Sequence, residues 1–145
     1  MIRPAVQADI SQLERIAEES SLSSWTRQGY IDEIERPDSI FLLAETADDV
    51  IVGFIIGRIV PGPDAEIYNI AVAENARRQG VGNGLMLEFI SRCKASKVES
   101  IWLEVRESNT NAVKFYSDAG FEEISLRPQF YNDPVEDAIV MRLEL

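Results

Sequence analysis

Three alternating glycines lie between an apolar segment with the pattern of a strand and an apolar segment with the pattern of a helix. Residues 77 to 84 read Arg-Arg-Gln-Gly-Val-Gly-Asn-Gly, after residues 67 to 72 and before Leu85. A helix that begins here leaves unpaired N–H groups at the positive end of its dipole, and glycine lets a ligand approach the backbone closely. The segment therefore predicts an anion site, and a pyrophosphate is the anion that suits it best.

Two common phosphate motifs do not fit this segment. A nucleotide P-loop requires Gly-Lys followed by Ser or Thr, and a dinucleotide fingerprint requires Gly-x-Gly-x-x-Gly near the first strand. Here Gly80, Gly82 and Gly84 alternate in mid-chain. With Arg77 they form Arg-x-x-Gly-x-Gly, which resembles the acetyl-coenzyme A loop of the Gcn5-related N-acetyltransferase (GNAT) family. The alternative is a turn that the glycines soften before an ordinary helix.

Composition narrows the class of protein. A chain of 145 residues with 46% hydrophobic content can bury one good core, so residues 1 to 145 are expected to form a single domain. No basic and apolar leader opens the sequence, and its longest apolar stretches, such as residues 50 to 56, fall far short of the roughly 20 residues of a membrane span. We therefore expect a soluble, cytoplasmic protein.

The residue types limit the available chemistry. The sequence has no histidine and one cysteine, Cys93, which excludes an internal disulfide, a Cys-His nucleophile pair and a histidine-based metal site. We expect no metal, and we expect Cys93 to pack inside a helix. Any general base must then be a carboxylate, a tyrosine, a lysine or water.

The chain is acidic, with 14 basic and 25 acidic residues and a net charge of −11. This balance disfavours direct nucleic-acid binding, which depends on the neutralisation of phosphates. It favours a cationic partner, although an acidic surface also keeps a protein soluble.

The apolar patterns predict seven strands and four helices. The first helix is expected to be capped by a box of Asp9 and Gln12 and to run to about Ala17. The other predicted helices cover residues 28–35, 85–96 and 109–119. In the helix of residues 85–96, the residues expected to face the sheet are Leu85, Leu87, Phe89, Ile90 and Cys93. The predicted strands cover residues 1–6, 40–45, 51–60, 66–72, 101–105, 121–126 and 138–145.

The predicted order βααβββαβαββ is similar to that of the GNAT fold over the whole chain. A helical crossover joins strands 66–72 and 101–105, which makes them parallel neighbours. The resemblance implies an α/β protein with a mixed, largely antiparallel central sheet and helices on both faces. It also implies that these two strands, the fourth and fifth, splay apart to hold the pantetheine arm of acetyl-coenzyme A.

Longer strings resemble the RimI-type branch of this family, which acetylates the N-terminal alanine of a small-subunit ribosomal protein. They are Tyr68-Asn69-Ile70-Ala71-Val72, Arg78-Gln79-Gly80-Val81-Gly82, Trp102-Leu103-Glu104-Val105-Arg106, Ser108-Asn109, Phe115-Tyr116, Gly120-Phe121 and Glu136-Asp137-Ala138. The resemblance implies that Glu104 is the general base and Tyr116 the general acid. It implies acetyl-coenzyme A contacts at Ile70, Ala71, Val72, Arg77, Arg78, Gln79, Gly80, Val81, Gly82, Asn83 and Asn109, and acceptor contacts at Trp25 and Tyr131.

Strand alternation supports the role of Glu104 independently. If the adjacent residues Leu103 and Val105 point into the core, Glu104 faces the opposite side of the sheet and can reach a cleft. A carboxylate within an apolar strand is costly to bury, which favours a functional role. The structural alternative is a salt bridge with Arg106 or Arg78.

The other candidates also have structural alternatives. Trp25 could cap the core, Tyr116 could be a core aromatic and Asn109 a helix N-cap. Tyr131 is expected in a loop, residues 127 to 137, whose prolines could merely shape a turn.

Two positions depart from the family pattern. Asn83 and Gly84 stand where many relatives carry a basic residue that assists the phosphates, which predicts weaker cofactor binding. Ser24 precedes Trp25 where these enzymes often carry proline, which leaves peptide specificity open.

The sequence therefore predicts an acetyl-coenzyme A-dependent Nα-acetyltransferase of a basic ribosomal protein, with direct transfer by general base and general acid. Two alternatives stay open. The same fold could acetylate a small cationic amine such as a polyamine or an aminoglycoside, or it could bind acetyl-coenzyme A without catalysis.

Overall fold

The computed structural model describes residues 1 to 20 and 25 to 145, and its elements follow the predicted order. The strands are β1 (Ile2–Pro4), β2 (Ser39–Glu45), β3 (Ile51–Ile59), β4 (Asp64–Val72), β5 (Ser100–Arg106), β6 (Glu122–Tyr131) and β7 (Glu136–Glu144). The helices are α1 (Ile10–Glu19), α2 (Arg27–Glu35), α3 (Val81–Ala95) and α4 (Thr110–Asp118).

The seven strands form one sheet in the order β1-β2-β3-β4-β5-β7-β6. Only β4 and β5 are parallel, as predicted, and only four residue pairs join them, from Asp64–Ser100 to Ile67–Leu103. On the other side of β4, the register against β3 shifts so that Tyr68 is an extra, unpaired residue. Because such a bulge bends its strand, β4 turns away from β5 directly after Ile67. The predicted splay is confirmed.

Helices cover both faces of the sheet, as predicted. Alternating strand residues divide the core, so that Ile55 packs with α3 and α4 while Phe54 packs with α1 and α2. Phe89 of α3 approaches the sheet closely at Gly57, where an added Cβ would lie 2.4 Å from its ring. The helix that follows the glycine segment is thereby fixed against β3 and β4.

The first helix begins differently from the prediction. Asp9 closes a short 3-10 turn, Gln7–Asp9, and its Oδ2 accepts a hydrogen bond from Val6 N–H at 2.8 Å. Gln12 does not cap the helix, because its Oε1 accepts from Ile51 N–H at 3.3 Å. The predicted Asp9 and Gln12 box is therefore wrong. The helix packs on the sheet through Leu13, Ile16 and Ala17, which are buried.

Helix α3 begins at Val81, four residues earlier than predicted, so that Gly82 and Gly84 lie within its first turns. Glycine has a low helix propensity, which hid this start, while Gly80 supplies a left-handed N-cap at φ +82°. Leu87 was wrongly assigned to the buried face, since it is 67% exposed.

The last hairpin is longer than predicted. Strand β6 continues to Tyr131 and β7 begins at Glu136, so Tyr131 lies at a strand end and not in a long loop. Pro128 hid this extension, because proline is unusual inside strands except at a sheet edge, where β6 lies.

No helix within residues 1 to 20 and 25 to 145 is long and apolar enough to cross a membrane.

Candidate active site

A cavity of about 690 Å³ occupies the wedge between β4 and β5. One end lies against the start of α3, and the other lies against the tip of the β6–β7 hairpin. Thirteen of the predicted site residues line it, namely Ile70, Ala71, Val72, Arg77, Arg78, Gly80, Val81, Gly82, Asn83, Glu104, Asn109, Tyr116 and Tyr131. Gln79 and Trp25 do not line it.

The start of α3 provides backbone donors for an anion. Gly80 carries no side chain to cap the helix, and the first intrahelical hydrogen bond runs from Gly84 N–H to the Gly80 carbonyl at 3.0 Å. The N–H groups of Val81, Gly82 and Asn83 precede this bond and have no intrahelical acceptor. They lie at the positive end of the helix dipole, where a pyrophosphate is stabilised.

The two arginines before the glycines differ in their surroundings. Arg77 is held by the protein, since its Nε donates to the Val72 carbonyl at 3.1 Å and its Nη2 to the Ser20 hydroxyl at 3.3 Å. Arg78 adopts a left-handed backbone, with φ +64°, and lines the cavity. Gln79 turns back, with its amide donating to the Asn75 carbonyl at 3.4 Å. Two hydrogen bonds thus tie the Arg77 side chain to neighbouring elements, and both arginines line the cavity.

Past Ile67, the inner edge of β4 pairs with no strand of the described residues on the β5 side. The backbone of residues 68 to 72 therefore presents hydrogen-bonding groups to the cavity, as an edge strand does. An extended arm with amide groups can bind there as an additional strand. The cavity thus fits a long ligand with phosphates at one end and an extended amide chain.

Glu104 lies on β5, on the face opposite Leu103 and Val105, as its alternation predicts. Its Oε1 accepts a hydrogen bond from Arg127 Nη1 at 2.8 Å. Its Oε2 is shut off from solvent and has no hydrogen-bond partner among the residues that the structure describes. The structural alternative, a salt bridge with Arg106 or Arg78, names the wrong cations, because Glu104 pairs with Arg127 of β6.

Arg106 is instead committed to the β6–β7 hairpin. Its guanidinium donates to the carbonyls of Asn132 and Pro134 at 3.3 and 3.2 Å, and it pairs with Glu136 at 3.3 Å. It also lies 4.4 Å from the centre of the Tyr131 ring. These contacts fix the hairpin tip against its end of the cavity.

Tyr116 projects from α4 into the cavity wall between Phe115 and Phe121. It is 8% exposed, and burial, with a smaller contribution from Tyr131, raises the pKa of its hydroxyl well above the ordinary value. The hydroxyl therefore stays protonated at neutral pH. Asn109 caps the same helix, its Oδ1 accepting from Ala112 N–H at 3.2 Å, so the structural alternative for Asn109 is confirmed.

The two predicted acceptor contacts lie in different places. Tyr131 lines the cavity, and its pKa is raised by burial and by the charge of Glu104. Trp25 stacks on Tyr30 at 5.7 Å, beside the core. With the Asn69 amide oriented to satisfy its neighbours, its oxygen accepts from Trp25 Nε1 at 2.9 Å and its nitrogen donates to the Tyr68 carbonyl at 2.7 Å. Trp25 thus supports the bulge that opens the cavity, while Ser24 lies outside the described residues.

Sequence reasoning missed Arg127, which donates a hydrogen bond to Glu104. It also missed the hairpin residues Asn132 and Asp133, which line the cavity. They fall in the stretch taken for a loop, and only the pairing of β6 with β7 brings them to the site. Cys93 is fully buried, and burial raises the pKa of its thiol to about 12, which makes it a packing residue as predicted.

The fold and the cavity are those of an acyltransferase whose site can hold a coenzyme with phosphates at one end and an extended amide arm. Residues 10–121 match the model of the acetyltransferase (GNAT) family, and the chain belongs to that family. It is an enzyme that transfers the acetyl group of acetyl-coenzyme A to an amine.

Similar proteins within this family have more specific descriptions. The chain is 30% identical to the [ribosomal protein bS18]-alanine N-acetyltransferase of Haemophilus ducreyi over 100% of both chains. It is similar to the crystal structure of the ribosomal-protein-S18-alanine N-acetyltransferase from Escherichia coli, with TM-score 0.88 and 27% identity over 99% of this chain and 92% of that one. It is also similar to Ard1 from Thermoplasma volcanium, with TM-score 0.91 and 35% identity over 100% and 97%.

Proposed function

We propose that this protein acetylates the N-terminal α-amine, with alanine as the first residue, of a small-subunit ribosomal protein. The observation that carries the proposal is that Glu104 and Tyr116, from β5 and α4, line one cavity whose other end provides the anion site of α3. The names of the relatives support the ribosomal substrate. The acidic net charge of −11 suits a basic protein.

A single carboxylate suffices for an α-amine. Only the neutral amine attacks a thioester, and a peptide α-amine, with a pKa of about 7.7 to 8.0, is neutral in roughly one molecule in ten at pH 7. A lysine amine, with a pKa of about 10.4, would require about 3.4 kcal/mol more free energy to reach its neutral form. Within the described residues, Glu104 is the carboxylate that lines the cavity from β5, and we assign it the role of general base, directly or through one water.

The residues handle two protons in the reaction. Acetyl-coenzyme A supplies the acetyl group as a thioester when bound, with Arg78 and the start of α3 toward its phosphates. The amine nitrogen bonds to the carbonyl carbon and loses its proton to Glu104. As the carbon–sulfur bond breaks, Tyr116 hydrogen-bonds or protonates the departing sulfur, and the net products are an acetylated N-terminus and a free thiol.

The experiment measures free-thiol release from acetyl-coenzyme A by the purified protein. The acceptors are a peptide that begins with alanine, the same peptide with a blocked N-terminus and an internal lysine, and spermidine, each with the native chain and with Glu104→Gln. We expect turnover with the free N-terminus alone, and its loss in Glu104→Gln. Turnover with spermidine alone would instead identify a small-amine acetyltransferase, and cofactor binding without turnover of any acceptor would overturn the proposal.

A further inference from the structure

The ion pair on Glu104 spans two strands of the sheet. Arg127 lies on β6 opposite Ala138 of β7, and Ala138 lies opposite Arg106 of β5. The three residues share one row on one face of the sheet, and Glu104 is the next residue along β5 on that face. The Arg127 side chain reaches Glu104 across β7, where the small Ala138 side chain leaves room.

Contacts on two sides hold the Arg127 guanidinium in place. Nη1 donates to Glu104 Oε1 at 2.8 Å, and the guanidinium carbon lies 4.4 Å from the centre of the Phe130 ring. Arg127 itself does not line the cavity, and 54% of its side chain is exposed. A surface pair of this kind adds little to stability, so its value to the protein lies elsewhere.

The pair determines which oxygen of Glu104 is available. Oε2 is shut off from solvent and without a partner among the described residues, whereas the side chain as a whole is 30% exposed and lines the cavity. Oε1 is therefore the oxygen that an amine or a bridging water can reach. It is also the oxygen that Arg127 holds, and its second lone pair stays free for the incoming proton.

We propose that Arg127 is a positioning residue that orients Glu104 so that Oε1 faces the acceptor amine. The inference rests on the proposed role of Glu104 as the base. Arg127 acts through Glu104 and touches neither the acceptor nor the coenzyme. Without it, the carboxylate is free to rotate and to satisfy its buried oxygen, and the base leaves the productive geometry.

The test compares Arg127→Met, which keeps most of the stem without the charge, with Arg127→Lys, which keeps a cation. We expect Arg127→Met to lower kcat by about 10- to 100-fold, because misplacement of a catalytic group by about 1 Å has a cost of this order. The KM for acetyl-coenzyme A should stay within about twofold, since Arg127 lies outside the cavity. Arg127→Lys should recover part of the loss, and added guanidinium ion should partly rescue Arg127→Ala.

Arg142→Met is the matched control. Arg142 lies on β7, is 32% exposed, contacts the Trp102 ring at 5.3 Å and pairs with Glu144 at 3.0 Å, but it does not line the cavity. It should retain native kcat and native thermal stability. A native kcat in Arg127→Met beside an inactive Glu104→Gln would overturn the positioning role and leave the base in place. An active Glu104→Gln would overturn both, and a loss in Arg127→Met that follows its melting temperature, without rescue by lysine or guanidinium, would reduce Arg127 to a structural residue.

Discussion

Tyr116 combines burial with access to the cavity, and this combination suits a proton donor. Its ring is packed between Phe115 and Phe121, and burial raises the pKa of its hydroxyl. The group therefore stays protonated up to and beyond its ordinary pKa of about 10. In the proposed mechanism, this group therefore does not limit the rate on the alkaline side of neutrality.

Replacement of Tyr116 by phenylalanine should keep the packing and remove the donor. We expect kcat to fall by about 100-fold, within the range for one general acid, with a melting temperature close to the native one. The native enzyme should lose no activity to this group below about pH 10. Steady-state rates across pH 6 to about 10 check both points, and a phenylalanine variant with native kcat would remove Tyr116 from the mechanism.

Asp9 is a buried carboxylate beside the first helix, and its charge is paired with Arg3. Burial alone would raise its pKa, but hydrogen bonds from Arg3 and from Val6 N–H, with the charge of Arg3, hold the pKa below its ordinary value. Arg3 donates to both Asp9 oxygens, at 2.9 and 3.0 Å, and to Glu45 at 3.0 Å. The buried carboxylate therefore favours folding only while it is ionised.

Asp9→Asn should lower the free energy of unfolding by about 1 to 3 kcal/mol at pH 7. Because the folded pKa lies below the unfolded one, the native contribution is present above about pH 4 and is lost as the pH falls through the folded value. Urea unfolding at pH 7 and at pH 3 checks the sign, since the difference between native and variant should shrink in acid. Asp38→Asn, which removes an exposed pair with Arg36, is the control and should change stability by less than about 1 kcal/mol.

At the scale of elements, sequence patterns predict the order of strands and helices better than the start of helix α3. The order of strands and helices followed from apolar periodicity, as did the parallel pairing of β4 and β5, because crossover connections allow few alternatives. The start of α3 did not, because Gly82 and Gly84 have low helix propensity, so that no local pattern marks them as helical. Likewise, Gln12 occupies the sequence position of a capping residue, but its side chain accepts a hydrogen bond from Ile51 N–H of β3.

The glycines of α3 differ in what surrounds them, and this gives a paired prediction. A Cβ at Gly82 would lie 3.3 Å from the Phe115 ring, in the wall of the cavity, whereas a Cβ at Gly84 would meet only Ile2 at 3.5 Å. Gly82→Val should therefore raise the KM for acetyl-coenzyme A by about tenfold or more, since an obstructed contact costs upward of about 1.4 kcal/mol. Initial rates over a range of cofactor concentrations measure this change.

Gly84→Ala is the control in the same helix. It should stabilise the protein by up to about 1 kcal/mol, through helix propensity, and leave the KM for acetyl-coenzyme A unchanged. An equal rise of KM in both variants would show that the effect comes from the helix and not from the cavity wall.

At the scale of the whole molecule, the site brings together residues from several strands and helices, and the sequence predicted only some of them. Glu104 and Tyr116 could be named because they lie in recognisable strings on elements of known type. Arg127 could not, because it lies 23 residues from Glu104 and reaches it only through the pairing of β6 with β7 and of β7 with β5. Side-chain partners across strands depend on register, which no local pattern fixes when proline interrupts the strand.

The charge of the whole chain distinguishes its two substrates. A net charge of −11 attracts a basic acceptor segment and repels the anionic coenzyme, and salt screens both effects over a Debye length of about 10 Å at 0.1 M. Raising the salt from about 0.05 to about 0.3 M should therefore raise the KM for a basic N-terminal peptide several-fold, while the KM for acetyl-coenzyme A stays constant or falls. A neutral peptide with the same first residue is the control, and its KM should hardly move. If the basic and neutral peptides responded alike, recognition would lie in the cavity alone and the acidic surface would serve solubility.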